Sequence, residues 1–131
     1  MKRRTAREKA LQALFQIDVS EVDPKDAIEH VLDGARNDDY LVRLVTGVVE
    51  NLSQIDELIQ NHLEKWTLDR VATVDRNLLR LSTYELLFLK EDVPANVAID
   101  EAIEIAKIFG DEESSRFING VLSKIKQLVR E

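Results

Sequence analysis

The groups able to do chemistry lie at the two ends of the chain. Residues 1–9 hold Lys2, Arg3, Arg4, Arg7 and Lys9 against Glu8, a net of +4. Residues 114–131 hold Arg116, Lys124, Lys126 and Arg130 against Glu131, a net of +3, and residues 114–130 contain no carboxylate. Between them, residues 10–113 carry nine basic and 23 acidic groups, a net of −14. The total of −7 argues by itself against a nucleic-acid binder. Taken by segment, an acidic body with two basic ends points to a polyanion partner at those ends.

The first basic run carries a ring with it. At 100° per residue, Arg4, Arg7, Leu11 and Phe15 fall within a helical sector of about 80°, beside the core stripe. Guanidinium groups neutralise phosphates, and an aromatic ring stacks an unpaired base for about 1–3 kcal/mol. Bases must be splayed out to stack, so the combination suits single-stranded RNA better than a duplex. The alternative is that Phe15 extends the core and the arginines are solvated. The last segment presents Arg116, Asn119, Gly120, Ser123 and Arg130 away from its apolar stripe. A glycine inside a helix costs about 1 kcal/mol relative to alanine, so Gly120 implies a close backbone approach there or another helix packed against it.

Catalytic patterns are missing from the sequence. There is no cysteine, which excludes disulfides, zinc-thiolate sites, iron–sulfur clusters and thiol nucleophiles. No Gly-rich phosphate loop, nucleophile elbow or HExxH motif occurs, so neither enzyme nor cofactor is expected. His30 and His62 fall on separate expected helices and read as surface or boundary residues rather than as a base or ligand pair. The run Asp111-Glu112-Glu113 could bind a cation. It equally places negative charge before a helix N-terminus, where the macrodipole favours it.

The positioning elements are helical throughout. The length of 131 residues suits one domain, 1–131, and 44% apolar with 33% charged residues suits neither a disordered tail nor a membrane protein. No run approaches the ~20 apolar residues of a membrane span, and the start lacks a signal peptide's apolar segment, so a cytoplasmic location is expected. Thr5…Glu8 reads as a capping box opening helix one. Asp23-Pro24 and Asp38 open the next two, and Gly34 closes the second. Ser53-Gln54-Ile55-Asp56 begins a helix running toward Trp66. Thr73 caps one over 74–89, Asn96 caps another ending near Phe109-Gly110, and Ser114 caps the last. The helix over 74–89 is apolar on two sides, with Leu79 and Leu86 on the second beside Asp75. Such a helix is either central or shares one side with a partner or a second copy of the chain. The expected class is all-α, about seven helices.

The motifs Arg80-Leu81-Ser82-Thr83-Tyr84-Glu85-Leu86, Asp92-Val93-Pro94, Val97 through Lys107, Phe109-Gly110 and Phe117-Ile118-Asn119-Gly120-Val121-Leu122 closely resemble the NusB family of bacterial transcription antitermination factors. The start, Arg3 through Phe15, is similar to that family's arginine-rich first helix, and the resemblance runs in order along the whole chain. It implies seven helices in two packed bundles. It also implies recognition of the boxA element of nascent ribosomal RNA transcripts, together with the ribosomal protein NusE, within a complex that helps RNA polymerase pass terminators. Carried over by motif, the RNA role falls on Lys2, Arg3, Arg4, Arg7, Phe15, Phe109, Arg116, Phe117 and Asn119. The protein-partner role falls on Asp75, Leu79 and Leu86. The family often has tyrosine where this chain has Phe15, and the basic run is short, which implies more dependence on the partner. A similar domain precedes some ribosomal-RNA cytosine methyltransferases, but the expectation here is the stand-alone form. The rival reading is a helical protein–protein adaptor that does not touch RNA.

Overall fold

The computed structural model describes residues 1–130, and these hold seven α-helices and no strand. They are α1 (Arg3–Ser20), α2 (Pro24–Leu32), α3 (Asp39–Glu50), α4 (Leu52–Gln60), α5 (Thr73–Phe88), α6 (Ala95–Phe109) and α7 (Ser114–Val129), with a 3₁₀ turn at Leu68–Arg70. Helices α1, α2 and α3 pack on one another, as do α5, α6 and α7. Helix α5 also packs on α1, α3 and α4, so the two bundles share it as a common member. No helix is long and apolar enough to cross a membrane.

Local chemistry explains the starts that were legible. The Asp23 side chain accepts from the Lys25 amide at 3.1 Å with Pro24 following, and Asp38 accepts from the Leu41 amide at 3.0 Å. Both supply an acceptor to amides that have no intrahelical partner. Helix α2 closes on Asp33 (φ 48°) and Gly34 (φ 82°), left-handed positions that glycine tolerates best.

Other ends differ from the sequence expectation. Helix α1 begins at Arg3 with Lys2 as its cap residue, so Thr5 and Glu8 lie inside the helix and form no capping box. Its first turn carries no acidic residue; the compensating negative charge comes instead from Glu101 on α6, which holds Arg4. Helices α5, α6 and α7 likewise start one or two residues before their expected caps, on Ala72, Pro94 and Glu113. Helix α4 stops at Gln60, well before Trp66. The Gln60 amide then clasps the following loop, donating to the Trp66 carbonyl at 3.1 Å and accepting from the Leu68 amide at 2.7 Å.

The second apolar side of α5 meets no partner surface. Leu79 and Leu86 are both 0% exposed, as are Leu78 and Leu81 on the other side. Each buried leucine stabilises by roughly 1.5–3 kcal/mol relative to an exposed one. This corrects their assignment as partner contacts: a helix shared by two bundles is enclosed all round, so apolar residues on every side are core. Gly47 on α3 shows how tightly α5 is held. A Cβ there would lie 2.2 Å from the Tyr84 ring, so only glycine lets the two helices approach as they do.

Candidate nucleic-acid interface

The arginines of α1 are engaged by carboxylates that lie far away in sequence. Arg7 is buried, and its Nε donates to both carboxylate oxygens of Glu85 at 2.9 and 3.2 Å, with Nη1 3.4 Å from Glu101. The Tyr40 hydroxyl donates to the same Glu85 carboxylate, and the Arg7 guanidinium lies 5.7 Å from the Tyr40 ring centre. Burial pushes the Glu85 carboxyl up, while Arg7 and Tyr40 pull it back. Burial also opposes the Arg7 charge, yet Glu85 keeps that guanidinium more firmly protonated than usual. Three donor contacts on two oxygens fit the ionised carboxylate, so the pair is read as charged. Tyr40 is held well above its ordinary value, chiefly by burial and then by Glu85.

Arg4 forms a two-pronged pair with Glu101, at 2.9 and 2.6 Å, and keeps 47% of its side chain exposed. The Glu101 carboxyl is held below the usual range, first by its hydrogen bond from Arg4. Arg3 lies 4.5 Å over the Tyr40 ring, and Lys9 donates to the Val31 carbonyl at 2.9 Å. Lys2 and Arg3 remain exposed, and Phe15 is 39% exposed rather than absorbed by the core. Arg7 therefore leaves the phosphate-facing set, because its guanidinium is spent inside the fold. Lys2, Arg3, Arg4 and Phe15 stay on the surface.

The other basic end is differently arranged. Phe109, at the end of α6, is 38% exposed, Arg116 and Asn119 are exposed, and Phe117 is half-buried against the core. Arg116 makes no ion pair among the described residues. Nothing lies within 4 Å of a Cβ built on Gly120, so the helix-packing explanation of this glycine falls and an open backbone remains. The acidic run before α7 acts locally. Asp111 Oδ1 accepts from the Glu113 amide at 2.9 Å and from the Ser114 hydroxyl at 3.2 Å, organising the helix start.

The two basic ends do not pack together into one cleft. Helices α1 and α7 each pack on α5, without a substantial interface between them. They do meet at the far end of α5. There Arg130 donates to the carbonyls of Glu85 (3.2 Å), Leu86 (2.9 Å) and Val93 (2.7 Å), close to the Glu85 carboxylate that Arg7 holds. Arg130 thus caps carbonyls at the negative end of α5 instead of facing solvent. Arg116 lies 14 residues earlier on α7, roughly 21 Å away at 1.5 Å per residue. The cations at the start of α1 and Arg116 at the start of α7 therefore stand apart.

Asp75 is only 7% exposed, so little of it is available to a protein partner. The sequence reading also passed over Trp66. It is the chain's only tryptophan and is 56% exposed beside Arg116 and Phe117. The available signal was a large ring next to Lys65 in a stretch without helical period. His62 lines the same hollow and faces the Leu58 carbonyl at 2.8 Å, while His30 meets Gln16 at 3.3 Å on the surface.

A family model described as the NusB family matches residues 4–127, nearly the whole chain. The chain belongs to the NusB family. Transcription antitermination protein NusB of Bacillus licheniformis is 60% identical over 126 residues, covering 96% of this chain and 97% of that protein. The Bacillus subtilis protein of the same name is 58% identical, over 96% and 95% of the two chains. Among solved structures, NusB of T. maritima superposes with a TM-score of 0.89 at 46% identity, covering 97% of this chain and 92% of that one. A crystal structure of the antitermination factors NusB and NusE in complex with double-stranded RNA gives a TM-score of 0.86 at 33% identity, covering 96% of both chains. NusB proteins are transcription antitermination factors and not enzymes.

Proposed function

We propose that this NusB-family chain binds the boxA element of nascent ribosomal RNA transcripts jointly with the ribosomal protein NusE, and so helps cytoplasmic RNA polymerase read through terminators. The observation that carries the reading is the pairing of exposed rings with exposed cations at two stations of an otherwise acidic molecule. The solved complex of relatives with NusE and RNA supports the same partners. Lys2, Arg3, Arg4 and Phe15 form one contact set; Phe109, Arg116, Phe117 and Asn119 form the other. The basic ribosomal protein is served by the acidic body, in which residues 10–113 carry a net of −14.

The test is a pull-down of the purified small-subunit ribosomal protein with and without a boxA-type RNA, with RNA affinity followed against salt. Affinity should fall by about 0.7 log units per neutralised phosphate for each log unit of salt on single strands. Single-stranded boxA should bind better than the same sequence paired. A flat salt response, with no complex formed, would reject the reading. The adaptor reading draws on one observation, the engagement of Arg4 and Arg7 by the protein's own carboxylates. Phe15→Ala separates the two: it weakens RNA binding only if the ring stacks on a base.

A further inference from the structure

Among the cations at the start of α1, Arg4 and Arg7 meet carboxylates, and Lys9 is half-buried with its ammonium on the Val31 carbonyl. Arg3 is exposed and makes no ion pair among the described residues, yet it is not loose. Its guanidinium carbon lies 4.5 Å from the centre of the Tyr40 ring, and its Nη1 is 3.4 Å from the Asp92 carbonyl oxygen. The Asp92 carboxylate is itself taken up by Arg43 at 3.1 Å. A ring and a carbonyl hold a guanidinium in place without cancelling its charge, whereas a carboxylate does both.

Tyr40 is fixed from the other side. It is half-buried in the first turn of α3, its hydroxyl donates to the Glu85 carboxylate, and the Arg7 guanidinium lies 5.7 Å from the same ring. A hydroxyl bound to a buried, ion-paired carboxylate leaves its ring little room to turn. The contacts run from the core outward, from Glu85 on α5 through Tyr40 on α3 to Arg3 on α1. Arg3 needs that support. It is the first residue of α1, where Lys2 makes no side-chain cap and the first turn carries no acid. Helix ends fray, and a long side chain that is ordered only on binding costs affinity.

Resting on the RNA reading above, we propose that Tyr40 is a positioning residue for RNA binding, its ring pre-ordering the exposed Arg3 guanidinium for a backbone phosphate. Tyr40 acts through Arg3 rather than on the RNA. The ring takes the face of the guanidinium, while the N–H donors lie in its plane and serve phosphate oxygens from the edge.

Affinity for a single-stranded boxA-type RNA is measured on the full chain, with and without the ribosomal protein, beside a melting curve for each variant. Tyr40→Leu should weaken binding about fivefold, the scale of ordering one long side chain. Tyr40→Phe keeps the ring, so it should bind within about twofold of the unaltered protein. Its melting temperature should still drop with the lost bond to Glu85. In an Arg3→Ala background, Tyr40→Leu should add no further loss, because the two residues act as one unit. The unaltered protein supplies a readout that needs no variant to fold. There the Arg3 Nε–H should be ordered by NMR relaxation, with an order parameter above about 0.6. Equal losses from the leucine and phenylalanine variants, or the same leucine loss without Arg3, would overturn the positioning role. So would a disordered Arg3 Nε–H, or unchanged binding by Tyr40→Leu. In each of these outcomes the RNA reading stands as long as salt-sensitive binding persists. Absence of such binding by the unaltered protein, with or without the ribosomal protein, would remove both.

Discussion

The two basic ends of this molecule look alike as composition and behave differently as structure. At the start of α1, Arg4 and Arg7 face Glu101 and Glu85, Arg3 rests on Tyr40, and Lys9 holds the Val31 carbonyl. At the start of α7, Arg116 has no acidic partner among the described residues, and it shares a hollow with Trp66, Phe117 and Gly120. Positive charge in a sequence therefore does not measure positive charge on offer to a ligand. What decides is whether folding brings a carboxylate to meet it. The first end is a braced scaffold with exposed tips; the second is an open recognition surface.

The sharpest way to break this contrast is Arg7→Ala. It leaves Glu85 buried without its ion partner, which should cost about 3–5 kcal/mol in urea unfolding. Near-normal stability with lost RNA binding would return Arg7 to the contact set. Arg130→Ala removes a charged donor from two carbonyls in the last turn of α5 and from the Val93 carbonyl in the loop beyond it, and should cost about 1–3 kcal/mol. RNA affinity at the α7 station should barely move, since that station is at the other end of the helix.

Acid should loosen the ion pairs that brace α1 at both of its ends. Glu101 is held below its ordinary 4.5 by Arg4, and Asp18 below its ordinary 3.8, where Arg76, Asn77 and Arg80 outweigh burial. Groups lowered in this way contribute fully above those ordinary values, and their contribution is lost as pH falls through the folded values. Melting followed from pH 6 downward should show stability declining below about pH 4.5, with Glu101→Gln flattening part of the slope. An unchanged slope in that variant would mean that Arg4 and Glu101 do not hold each other in solution.

The open end should respond in the opposite sense. Gly120→Ala should raise stability by about 0.5–1 kcal/mol, since an exposed helical glycine loses to alanine and no atom stands in the way. The same change should weaken RNA binding if the backbone is approached there. Arg116→Ala should leave stability within about 0.5 kcal/mol. It should reduce the salt slope of RNA binding by about 0.7, one phosphate contact on a single strand. A large loss of stability would show that this arginine, too, belongs to the scaffold.

Much of the fold was legible because helix periodicity and caps are local properties. Asp23-Pro24 and Asp38 announced their helices through side chains that bond amides two or three residues away. Thr5, Thr73, Asn96 and Ser114 misled by one to three residues, because a cap-forming residue type does not fix which residue takes the non-helical backbone. Leu79 and Leu86 misled more seriously. Their spacing showed two apolar sides but could not say whether another helix of the same chain would cover the second. Trp66 escaped notice because its place depends on a clasp from Gln60 and on the approach of α7, neither of which has a sequence period.

By itself the sequence determined the all-helical class, the family, the acidic body with basic ends and the lack of catalytic patterns. These follow from residue type, order and short-range spacing. Tertiary structure alone decided which arginines are spent, which leucines are core, and that the two cationic stations stand apart. Those outcomes depend on contacts between residues as far apart as Arg7 and Glu85, or Arg4 and Glu101. No local rule encodes them, because burial and pairing are properties of the assembled packing and not of any one helix.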